Sequence, residues 1–355
     1  MTEIDSKLWQ QFLDSNIVEG NLPTKEYFES PWFVKVIQAF LGWLASLFLL
    51  AFLALGFLKL IDSTFASFIS GIILIGIAFS LLRRSQGEFL DHMALAISMS
   101  GQALLIFSLV KATKMEGASA WFVIAVFQGV LVLLIPNIIH RFLSTFFSSI
   151  AIYLFLAQLS TPYFFSGFAM LLVSVVFLNE WRYIKINDVL KPVAWGVLSS
   201  LIILKSITVF GHRTLADLIG VKDSSLASYD WIEHTFMTAV VIYVLCSLLK
   251  QNYQGFKLPL AALAIVSCVL LGFLSVEAEG ITVAILLVLL GFSSSHRLLI
   301  GLGFLVLLSS ISIYYYALHE TLLHKSQMLF ITGIALLSIY GLMKYLFKGQ
   351  GGLHE

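Results

Sequence analysis

Phe142–Leu178 reads FLSTFFSSIAIYLFLAQLSTPYFFSGFAMLLVSVVFL and contains no Asp, Glu, Lys or Arg. A helix that crosses a bilayer needs about 20 mostly apolar residues. The stretch supplies two such runs, Phe142–Leu159 and Tyr163–Leu178, parted only by Ser160-Thr161-Pro162. Proline lacks a backbone N–H and fixes φ, so this break reads as a tight turn between two helices. Strands of a membrane barrel would alternate polar and apolar residues over about ten positions, and neither run does.

The same reading extends outward in both directions. Before this hairpin come Val36–Leu58, Phe65–Leu82, Met93–Val110 and Ala118–Ile135. After it come Val193–Phe210, Trp231–Leu249, Leu258–Leu274, Ile281–Phe292, Leu298–Leu318 and Ser326–Leu346. The fold class is therefore all-α, a polytopic membrane protein with about 12 transmembrane helices. Composition agrees: 59% of the 355 residues are hydrophobic and only 12% are charged, against about 25% charged in a soluble domain. Mean hydropathy is +0.95. The tenth block, Ile281–Phe292, is short and spans only if Ser293–Ser295 and part of Val276–Gly280 enter the bilayer. Pro136, Pro192 and Pro259 fall at block edges, where they punctuate helices.

Numbering the loops from the N-terminus, those on its side hold fourteen of the 21 Lys and Arg residues and the opposite loops hold six. Lys205 lies within the seventh block. The positive-inside rule then places both termini in the cytoplasm. Residues 1–29 carry six acidic residues and no early apolar run, so they do not read as a secretory signal. The expected organisation is a cytoplasmic N-terminal segment over 1–31, a helical bundle over 32–347 and a cytoplasmic tail over 348–355. Leu8, Trp9, Phe12 and Leu13 recur at helical spacing and predict a short amphipathic helix in the first segment. The longest external segment is Gly211–Asp230, with room for one or two amphipathic turns. The expected location is a bacterial cytoplasmic membrane.

Chemistry is sparse. His319-Glu320-Thr321-Leu322-Leu323-His324 has one residue too many for the helical His pair of a zinc protease. No phosphate-binding or dinucleotide fingerprint appears in a matching context, so no cofactor, metal or catalytic residue is expected. The net charge of +1, without a basic stripe, gives no reason to expect nucleic acid as a partner. Cys246 and Cys268 sit inside apolar blocks and read as packing residues. Gly71, Gly76, Gly101, Gly129, Gly301 and Gly303 read as positions of close helix contact.

Ionisable residues within membrane helices are the usual pointers to ion or substrate pathways. Lys205 is the clear instance. Its long stem allows it instead to snorkel toward the outer interface, and that is the expectation. The richest polar neighbourhood lies at the outer end of the last four helices. Glu277, Glu279, Tyr316, Glu320 and Lys325 form a candidate functional face there, for a partner or a small polar ligand. An aromatic belt with ordinary interfacial charges is the plain alternative. The turns ending in His140-Arg141 and His296-Arg297 are similar to each other, which chance and the charge rule explain.

Ser30-Pro31-Trp32-Phe33-Val34-Lys35 and Gly42-Trp43-Leu44-Ala45 resemble the opening of an uncharacterised family of bacterial multi-pass membrane proteins, a domain of unknown function. Ser100-Gly101-Gln102-Ala103-Leu104-Leu105, Ile135-Pro136-Asn137 and His140-Arg141-Phe142-Leu143 are similar to its middle. Tyr314-Tyr315-Tyr316, Thr321-Leu322-Leu323 and Lys325-Ser326 are similar to its end. The resemblance implies a partner and no activity, since members are often encoded beside a second multi-pass membrane protein and a small anchored protein with a Gly-Asp-Tyr motif. Two functions follow: a non-enzymatic membrane subunit or scaffold, and, as the alternative, a secondary transporter or permease. The nearly charge-free helices favour the first.

Overall fold

The computed structural model describes residues 63–84, 88–180, 186–219, 230–252, 265–269 and 280–317, with scattered positions elsewhere. Among the described residues the chain is all helix and turn. The helices are α1 (Thr64–Arg84), α2 (Glu88–Thr113), α3 (Ala118–Leu134), α4 (Ile138–Gln158), α5 (Tyr163–Leu178), α6 (Asn187–Ile219), α7 (Asp230–Asn252), α8 (Ile281–Ser293) and α9 (Arg297–Ala317). Each coincides with one of the apolar blocks. The blocks Val36–Leu58, Leu258–Leu274 and Ser326–Leu346 fall on partly described residues, helical where described. Five helices are long and apolar enough to cross a bilayer: Thr64–Arg84, Phe89–Thr113, Ile138–Gln158, Asn187–Ile207 and Trp231–Lys250. The chain is thus a membrane protein, all-helical among its described residues.

Local chemistry explains the helix ends. Asn137 caps α4, its side-chain oxygen accepting from the His140 amide at 3.0 Å, which satisfies one of the orphan N–H groups of the first turn. The expected turn at Ser160-Thr161-Pro162 is present. Ser160 takes a left-handed φ of 58°, Thr161 N donates back to Leu156 O at 2.9 Å, and Pro162 opens α5.

Pro192 departs from the sequence expectation. It lies inside α6, as its sixth residue, and does not mark the edge of the helix. A proline there leaves the carbonyl four residues back without its helical donor. That carbonyl belongs to Asp188, and Arg141 Nη1 of α4 donates to it at 3.1 Å. Arg141 Nε also donates to Val132 O, at 3.2 Å, near the end of α3. One guanidinium thus satisfies two carbonyls that helix geometry leaves open. At its far end α6 runs on to Ile219, through much of the segment expected to be a loop.

Sequential helices form hairpins: α1 with α2, α3 with α4, α8 with α9. Helix α6 then packs on α4 and α5, and α7 on α5 and α8. The larger core joins α5 to α9 around Met170, Val173, Leu198, Met237, Leu287 and Leu299. A smaller one joins α1, α2 and α3 around Leu82, Ala94, Leu95, Leu131 and Ile135. At 13 residues and 1.5 Å per residue, α8 extends about 20 Å, short of a bilayer's roughly 30 Å. Its residues Thr282, Val283, Ala284, Leu286, Leu287, Leu290 and Gly291 are buried, so most of this helix is lined by protein. Gly280 begins it with φ +94°, and a Cβ there would meet Ser310 Oγ.

The glycines divide. Gly71 and Gly101 face each other where α1 crosses α2: a Cβ on either would come within 2.9 Å of the other's carbonyl oxygen. Gly303 sits against α8 in the same way: a Cβ there would stand 3.0 Å from Val288 N. Gly76, Gly129 and Gly301 have nothing within 4 Å of where a Cβ would stand. These three are not contact positions among the described residues, contrary to the sequence reading.

Candidate functional site

Several buried hydroxyls in the bundle bond to their own helix. Ser100 donates to Ala96 O and Ser174 to Met170 O, a local arrangement that carries no information about neighbours. One group of polar side chains instead joins three helices. Ser98 and Gln102 come from α2, Gln128 from α3, and His140 and Ser144 from α4. None is more than 4% exposed. Gln128 Nε2 donates to Gln102 Oε1 at 2.9 Å. Gln102 Nε2 lies 3.0 Å from Ser98 Oγ and 3.1 Å from His140 Nε2. Ser98 Oγ is 2.9 Å from the same ring nitrogen, and Ser144 Oγ is 3.3 Å from Nδ1. Ser98 and Gln102 lie one helical turn apart, so both reach His140. The Asn137 cap fixes the first turn of α4, which sets where the imidazole stands.

A second site holds charge. Lys205 Nζ of α6 is 2.7 Å from Glu233 Oε1 of α7, with side chains 12% and 14% exposed. The expectation that Lys205 snorkels to the interface is therefore corrected. Its ammonium turns into the bundle to meet a carboxylate, because an ion shielded from water is stabilised most by a hydrogen-bonded counter-ion.

A third cluster gathers at the opposite end of α6. Glu180, just beyond α5, accepts from Lys191 Nζ at 2.7 Å and lies 2.9 Å from His296 Nε2 in the α8–α9 turn. The His296 ring meets the Phe177 ring at 5.8 Å, close to edge-on. Burial raises the Glu180 carboxyl pKa, but hydrogen bonds and charge from Lys191 and His296 outweigh it and hold the group below the usual glutamate range. The two His-Arg turns thus serve different ends. His140 joins the buried polar network, and His296 ties α8–α9 to α5 and α6.

The candidate face proposed from sequence falls outside what the structure describes. Glu277, Glu279, Glu320 and Lys325, with His319 and His324, lie outside the described residues, and Tyr316 is placed in α9 without a described side chain. The buried network carries no ionisable residue in the middle of an apolar block, the feature by which sequence marks such sites. Gln102 and Gln128 are neutral, and His140 stands beside an arginine at a block edge. Two mid-block glutamines were the available signal.

The family model described as "Domain of unknown function (DUF4401)" matches residues 31–346. The chain belongs to this family. The match spans all of α1 to α9 and takes in the three helix-joining sites. It agrees with the resemblance carried by Ser30–Lys35, Ser100–Leu105 and Ile135–Leu143. No curated protein and no solved structure matches the chain. For a DUF4401 protein, functional argument therefore rests on the residues themselves.

Proposed function

We propose that this DUF4401 protein is a non-enzymatic subunit or scaffold of the bacterial cytoplasmic membrane that acts with another multi-pass membrane protein. The observation that carries the reading is how the polar groups of the described bundle are used. Ser98, Gln102, Gln128 and His140 bond to one another across three helices, and Lys205 is matched by Glu233. They hold helices together. A crevice lined by Thr238, Val241, Cys268, Gly272, Thr282 and Ile285 is too tight for more than about one water. A solute pathway would need polar groups turned toward open space at the midplane.

Helix α1 supports a partnered surface. It packs mainly on α2, and Phe65, Ile69, Ile72, Ile73 and Ile77 are exposed, a face suited to lipid or to a neighbouring membrane helix. The outer face of Glu277, Glu279, Tyr316, Glu320 and Lys325 is the contact proposed for the partner's polar end. The topology that goes with this reading has twelve spans and both termini in the cytoplasm. Reporter fusions after Ala112 and Asp223 then read external, and fusions after Gly87, Asp188 and Glu355 read internal. An external C-terminus would break the scheme, most readily at the short α8.

The second reading is a secondary transporter or permease. It is favoured by the Lys205–Glu233 pair and the buried His140, since ionisable groups among membrane helices often mark ion routes. Retention of a second membrane protein through mild detergent extraction separates the two readings. The subunit reading requires it. The transport reading requires instead that the purified chain alone move a solute or ion across vesicle membranes.

A further inference from the structure

The amides of the buried network form a line that can run in either direction. As it stands, Gln128 Nε2 donates to Gln102 Oε1, and Gln102 Nε2 donates toward Ser98 Oγ and His140 Nε2. His140 Nε2 is therefore the acceptor nitrogen, and the ring proton sits on Nδ1, facing Ser144 Oγ at 3.3 Å. One atom in the set has no partner. Gln128 Oε1 is buried and unbonded, on a side chain only 3% exposed. Burying an amide oxygen without a partner is costly.

We propose that this network is a proton-binding site within the helical bundle, at which His140 Nε2 takes up one proton from water and both glutamine amides turn over to receive it. The N–H bond formed at Nε2 is matched by the O–H bond that the donor water species gives up. Every other change is a hydrogen bond. The imidazolium Nε2–H donates to the turned Gln102 Oε1. Gln102 Nε2 now faces α3 and donates to Gln128 Oε1, while Gln128 Nε2 takes the buried position that Oε1 leaves. Ser98 rotates its hydroxyl to donate to Gln102 Oε1, and Nδ1–H keeps Ser144. Both charge states of the ring are then hydrogen-bonded at both nitrogens, which a histidine among fixed donors would not achieve.

Neighbouring charges leave room for this. Helix α3 has no ionisable residue. Arg141, beside His140 on α4, directs its guanidinium at Val132 O and Asp188 O. On α2, His92 lies against Gly42, and Asp91 stands two turns before Ser98 on the same helical face; on α6, Asp188 lies against Arg141 through its backbone carbonyl. On α6, Lys191 is held by Glu180 and Lys205 by Glu233. Access is short, because His140 is the third residue of its helix.

The test is nitrogen-15 NMR of the full chain in lipid nanodiscs. Ile139–His140 is the chain's only Ile–His pair, so labelled Ile carbonyl and His nitrogen select it without mutation. Titrated from about pH 8 to about pH 4, across the histidine range, the two ring nitrogens are expected to converge on the imidazolium signature at one midpoint. The side-chain amides of Gln102 and Gln128 shift at that same midpoint. In Gln128→Leu the midpoint falls by about one pH unit, a tenfold loss of proton affinity. A ring that stays neutral throughout overturns the proposal. So does a ring that titrates while both amides stay still, or a Gln128→Leu midpoint equal to wild type. If that variant does not fold, the wild-type titration decides alone.

Discussion

Lys205→Met is expected to destabilise the bundle by about 3 kcal/mol, because it leaves the Glu233 carboxylate with its 2.7 Å partner removed. Breaking one side of a shielded pair costs more than the pair itself contributes, since the remaining ion keeps its desolvation penalty. The double variant Lys205→Met/Glu233→Leu is therefore expected to recover most of the loss, with a coupling well outside simple additivity. Glu233→Gln alone should fall between, since the amide oxygen can still accept a hydrogen bond from the ammonium although that charge loses its counter-ion. The measurement is unfolding in mixed micelles with increasing denaturing detergent. A single variant as stable as wild type would mean that Lys205 reaches water after all.

Gly196→Leu is expected to separate α6 from α4. A Cβ at Gly196 would stand 2.7 Å from Phe142 O and 3.1 Å from Phe146 N, both backbone atoms, and 2.8 Å from Thr145 Cβ. Backbone inside a helix cannot yield as a side-chain tip can, so the helices must move apart. Overpacking of this kind costs about 3 kcal/mol where the structure survives it. Separation would also pull Arg141 from the Asp188 carbonyl that Pro192 leaves open. Gly76→Leu is the matched control, because nothing lies within 4 Å of its added carbon. It should assemble at wild-type levels, and equal loss in both variants would show that bulk alone is the cause.

These two residues also mark what sequence could and could not supply. The apolar runs were legible because the bilayer sets a length scale, and Ile138–Gln158 or Trp231–Lys250 meets it whatever surrounds it. The Ser160-Thr161-Pro162 turn was legible because its chemistry is local. Helix contacts were not. Gly71 and Gly76 look alike in sequence, yet only Gly71 faces another helix. Pro192 reads as a boundary until Arg141, 51 positions earlier in the sequence, is seen to satisfy the carbonyl it strands. Lys205 looked able to snorkel because Glu233, beyond the expected loop, gave no sign of being its neighbour. For the buried network, periodicity marks Gln102 and Gln128 as polar positions in apolar helices and does not show that they converge on His140.

The central claim is that the protein works as one subunit of a membrane assembly, and native mass spectrometry of the chain released from its own membrane in mild detergent tests it most directly. The account predicts a species carrying a second multi-pass membrane protein at a fixed ratio, reduced at least severalfold when Glu277 and Glu320 are both changed to Lys while membrane levels hold. A chain recovered only alone, or only with copies of itself, would contradict it.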